Sequence, residues 1–148
     1  DTASWSLAQD FTIWMVLDTT IATGLHYSCG TLGSTPTFGG CYKNESASGA
    51  YFGASAVHPT TYYSAGVLSW SCHHVNGASS SLVFNGTASG TLNFGTTGIN
   101  GGWRVGGRFD TLRWNGKIVE QIIFAGDATT LPGWSAFLAN RQAYFSLP

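Results

Sequence analysis

The sequence predicts an all-β fold, a two-sheet antiparallel β-sandwich closed by one short C-terminal helix. Three observations point there. The strongest hydrophobic rhythm has period two, Asn-Gly pairs recur at the ends of the alternating runs, and Gly supplies 20 of 148 residues while charged residues supply only 9%. Alternation marks strands with two distinct faces, and Asn-Gly supplies the positive φ of two-residue hairpin turns.

Along the chain, Phe11, Ile13, Met15 and Leu17 alternate with Thr12, Trp14, Val16 and Asp18. One face is wholly apolar and the other carries a large aromatic, as expected for a central strand covered on both sides. Short apolar pulses at Leu25 to Ser28 and Ala50 to Val57 sit in Gly/Ser/Thr-rich surroundings and read as further strands. From Gly66, Leu68, Trp70 and Cys72 share one face, and Asn76-Gly77 predicts a two-residue turn. Ser80 to Phe84, Asn85-Gly86 and Gly90 to Phe94 continue an antiparallel meander. A further strand, Lys117 to Phe124, follows Asn115-Gly116. Thr129 to Pro132 predicts a helix start, because Thr can cap and Pro is tolerated in the first turn. Trp134, Phe137, Leu138 and Phe145 then fall on one helical face. By the same periodicities Trp14, Trp70 and Trp134 belong to the core.

Residues 1–148 read as a single domain, since no linker or internal repeat divides them. The start at Asp1, without Met, predicts a piece processed or excised from a longer protein. Aromatic content of 14% argues against disorder. Six basic against seven acidic residues leave no polybasic face, so nucleic acid and anionic membranes are not expected partners. No apolar run reaches the roughly 20 residues that span a bilayer. Cys29, Cys41 and Cys72 are an odd set, so at least one thiol is free or paired between chains. Cys29 and Cys41 bracket Gly30 to Gly40, where a loop-closing disulfide and a pair of small buried thiols are both open.

Several segments carry a resemblance. Phe11 to Leu17 resembles the opening strand of laminin-G-like, concanavalin-A-like jelly rolls, and Val67 to Gly95 is similar to their central meander, with Leu82-Val83-Phe84-Asn85-Gly86 as its "LYVNG" strand. Trp103 to Gly107 resembles the family's "lrIGg" strand, and Gly116 to Phe124 its final "GkIaEviiy" strand. The series covers about two-thirds of the chain in order, while Thr19 to Tyr63 matches nothing sharply. The resemblance implies a jelly roll with one concave face and, in many members, a rim calcium held by carboxylates. Here Asp18, Asp110 and Asp127 are the candidates, although no Asp-x-Asp cluster exists.

No catalytic residue is assigned. The glucanase E-x-D-x-x-E strand is absent, only Glu45 and Glu120 exist as glutamates, and Glu120 reads as a structural acceptor. No nucleophile elbow occurs, and Cys72 reads as core. Tyr62, Tyr63, Trp103, Arg104 and Trp114 lie outside the strong strands. They fit either sugar recognition, aromatic faces stacking on rings while Arg reads hydroxyls, or packing beneath loops. The expected function is a non-catalytic carbohydrate-binding, lectin-like or adhesion module, extracellular or on a cell or virion surface, with a glycan or protein partner. The competing readings are a multimeric decoration domain of a virion or fibre and, behind it, a glycoside hydrolase.

Overall fold

β1 (Phe11–Leu17) is buried from end to end because both of its faces are covered. Phe11, Ile13, Met15 and Leu17 enter the core between the sheets, and Trp14 and Val16 meet the C-terminal helix on the other side. The computed structural model of the chain describes residues 6–20, 25–31, 39–44, 47–52, 64–99, 101–108 and 112–148. Its further strands are β2 (Leu25–Thr31), β3 (Gly39–Asn44), β4 (Ala47–Phe52), β5 (Ser69–Val75), β6 (Ser80–Phe84) and β7 (Thr87–Leu92). They are followed by β8 (Trp103–Val105), β9 (Gly107–Arg108), β10 (Leu112–Arg113), β11 (Ile118–Ala125) and the helix α1 (Trp134–Phe145).

One sheet has the order β11-β1-β5-β6-β7, with every pair antiparallel. The second has the order β4-β3-β2-β10-β9, with β8 also paired to β2; only the short β2–β10 contact is parallel. This is the sandwich the alternation predicts. No helix among the described residues is long and apolar enough to cross a membrane.

The meander owes its geometry to local chemistry. Asn85 and Gly86 adopt φ of 45° and 82°, the left-handed pair of a tight hairpin, and Phe84 opposes Thr87 directly. The Asn85 side chain also accepts the Trp70 backbone N–H at 2.8 Å, tying the turn to β5. Asn76-Gly77 departs from the expected two-residue turn. Asn76 has φ −148°, and Gly77–Ser79 forms a 3-10 turn. There Ser80 Oγ accepts from Asn76 N and donates to Gly77 O, while Gly77 N donates to Gln9 Oε1. These bonds favour a longer loop.

The helix starts later than predicted. Ala128–Thr130 is a 3-10 turn capped by the Asp127 carboxylate, and α1 begins only at Trp134. Leu131 precedes Pro132 and is extended, ψ 141°, because the proline ring disfavours α geometry in the residue before it.

Candidate functional site

The two sheets present very different outer faces. That of the five-stranded sheet is covered by α1 over β11, β1 and β5. Trp14 and Trp70 stack at 5.0 Å, Phe137 and Trp134 of α1 meet Trp14 edge-on, and Leu138 and Phe145 complete the cluster. Glu120 anchors the lid: Trp14 Nε1 donates to its Oε2 at 2.8 Å, and Arg141 Nε stands 3.1 Å from its Oε1. Trp70 Nε1 donates to the Pro148 carbonyl at 2.8 Å. Glu120 is thus the structural acceptor expected from the sequence.

On the six-stranded sheet, strand alternation sorts the predicted residues. Trp103 leans on the inter-sheet core, half-buried, with Nε1 donating to Gln121 Oε1 at 3.1 Å. Arg104, next along β8 and in register with Gly30, is exposed. Trp114 is 9% exposed, belongs to the inter-sheet cluster, and donates Nε1 to the Asp18 carbonyl at 2.7 Å. Its neighbour Arg113 is exposed and therefore faces away from that core. Arg113 is paired with Tyr27, itself buried and directly opposite Tyr42. Tyr27 was not singled out by sequence because the β-bulge between Tyr27 and Cys29 breaks the alternation, and Arg113 because β10 is only two residues long. Tyr62 and Tyr63 lie outside the described residues.

The metal candidates do not converge. Asp18 follows the last residue of β1, whereas Asp127 follows β11 beside the first, at opposite ends of a seven-residue strand. One buried Asp18 oxygen has no hydrogen-bond partner, Asp110 lies outside the described residues, and among those described no group of three metal-ligating side chains forms.

At the Asp127 end, His74 Nε2 lies 2.5 Å from Asp10 Oδ1 and Nδ1 lies 3.8 Å from Asp127 Oδ2. Cys72 shares that face of β5, but burial, with the Asp127 charge adding, pushes its thiol up to about 12. It is held protonated, unsuited to act as a nucleophile. A shallow cleft of about 250 Å³ between Ser6–Leu7–Ala8 and Gly98–Ile99 has no charged group in its lining.

No family model and no curated protein matches the sequence. Solved structures do match. The IT-sialidase CBM40 of Ruminococcus gnavus superposes with TM-score 0.65 at 14% identity, over 79% of this chain and 76% of that one. The native heptameric SAP-like pentraxin of Limulus polyphemus gives 0.61 at 15%, over 80% and 65%. Domain 4 of AbnA, a GH43 extracellular arabinanase from Geobacillus stearothermophilus, in complex with arabinotriose, gives 0.63 at 12%, over 80% and 62%. The fold is the concanavalin-A-like lectin/glucanase jelly roll. The chain thus spans somewhat less than two-thirds of the pentraxin and AbnA chains and about three-quarters of the CBM40 chain. Fold-level likeness leaves the ligand to be argued from residues.

Proposed function

We propose that the chain is a non-catalytic, extracellular carbohydrate-binding module whose glycan lies on the outer face of the six-stranded sheet. The observation that carries the class is the likeness to carbohydrate-binding modules, which extends over about four-fifths of this chain. The location rests on the asymmetry of the outer faces: α1 occupies that of the five-stranded sheet, while Arg104 and Arg113 project from that of the other. Their planar guanidinium forks suit the paired hydroxyl or carboxylate oxygens of a sugar edge. Tyr62 and Tyr63, which lie outside the described residues, serve in this reading as stacking rings. A virion or adhesion role finds no support among these neighbours.

The test is a broad glycan array followed by affinity gels. Arg104→Ala, Arg113→Ala and Tyr62→Ala are expected to weaken a hit by about tenfold each, near 1.4 kcal/mol, measured at temperatures where the variants are folded. Absence of binding across the panel overturns the proposal.

A further inference from the structure

Cys29 and Cys41 are directly opposite each other on antiparallel β2 and β3, both fully buried on the core side. Opposed residues in such a ladder have Cα atoms about 4.5 to 5.5 Å apart, inside the roughly 4.4 to 6.8 Å spanned by disulfides. Ser28 links the pair, its Oγ donating to the Cys41 carbonyl at 3.1 Å and lying 3.9 Å from Cys29 Sγ. Cys72, the third cysteine, lies on the opposite face of the other sheet, beneath α1.

We propose that Cys29 and Cys41 are a specific redox pair that closes a disulfide across β2 and β3 when the chain folds with a disulfide oxidant present, leaving Cys72 reduced. One of the two, as its thiolate, displaces a thiolate from the oxidant, for example glutathione disulfide, to give a mixed disulfide. The other then loses its proton and attacks the protein sulfur of that mixed disulfide, expelling the second thiolate. Two protein thiols are oxidised and one disulfide oxidant is reduced to two thiols. Because both sulfurs are inaccessible in the closed sandwich, the exchange belongs to folding or to opening of the sheets.

The test refolds the full chain in a reduced/oxidised glutathione mixture, then denatures and alkylates it without reductant. The expected product carries one alkyl group, at Cys72, is lighter by two hydrogens before alkylation, and yields a Cys29–Cys41 peptide on mapping. Cys72→Ser keeps that cross-link, and Cys29→Ser with Cys41→Ser abolishes it together with any dependence of Tm on reductant. Three alkylated thiols, or a cross-link or glutathione adduct involving Cys72, overturn the proposal.

Discussion

His73 sits in the inter-sheet core with neither ring nitrogen hydrogen-bonded and its ring centroid 6.1 Å from that of Phe94. Burial pushes its pKa from the ordinary 6.5 down to about 3. Between those values the unfolded chain binds a proton that the native state refuses, so stability rises with pH there. This contribution is complete above the unfolded pKa and is lost as pH falls towards the native one. Relative to His73→Leu, the natural chain should lose about 2 kcal/mol by pH 5, at roughly 1.4 kcal/mol per unit. Urea unfolding at several pH values checks this; parallel curves for the two proteins would refute it. Glu120 makes the converse case, a carboxylate that accepts from the Trp14 indole and sets its charge beside that of Arg141. Glu120→Ala strands the Trp14 indole N–H and the Arg141 charge under α1. It should cost about 2 kcal/mol in the same assay at unchanged m, while Glu120→Gln costs less because it keeps an acceptor for Trp14.

At the scale of elements, α1 is held by its aromatic face. Phe137 stacks on Trp134 at 5.3 Å and meets Trp14 and Phe124 edge-on at 5.3 and 5.7 Å. Phe137→Ala should lower stability by about 3 kcal/mol and expose the Trp14/Trp70 face, read as increased binding of a hydrophobic dye. The elements of this half were legible in the sequence. β1, β5 and β6 combine period-two alternation with apolar residues, β11 follows an Asn-Gly turn and is rich in Ile, and Trp134, Phe137, Leu138 and Phe145 keep a helical spacing. Most of the six-stranded sheet was not. β8, β9 and β10 are two or three residues long, too short to show a period, and β2 hides its faces behind a bulge. Small residues such as Gly30, Gly40 and Gly49 blur hydrophobic contrast further. The odd cysteine count could not say which thiols meet; the β2–β3 register does. In the chain-entropy view, closing that short loop would add about 3 kcal/mol of stability.

Across the whole molecule, the sparse charge is unevenly placed. Lys43, Arg104, Arg108 and Arg113 lie in strands of the six-stranded sheet, which contain no Asp or Glu, while Glu45 and Asp110 stand in the sequence between its strands and Glu120 lies in β11 of the other sheet. Composition revealed how few charges there are; topology shows which strands carry them. With α1 packed on Trp14 and Trp70, the two outer faces differ: one is covered there, and the other exposes Arg104 and Arg113. If the faces divide the labour in this way, stability and recognition should respond to different residues. Phe137→Ala should lower Tm and leave affinity for an array-selected glycan intact at temperatures where the variant is folded. Arg104→Ala with Arg113→Ala should lower that affinity under conditions where the variant is folded. Because the two groups lie on opposite sides of the core, their effects in the combined variant should add to within about 0.5 kcal/mol. Calorimetric titration and thermal unfolding of the four proteins measure both quantities. Loss of glycan affinity in the Phe137 variant, with the arginine variants unaffected, would move the binding surface to the helix side.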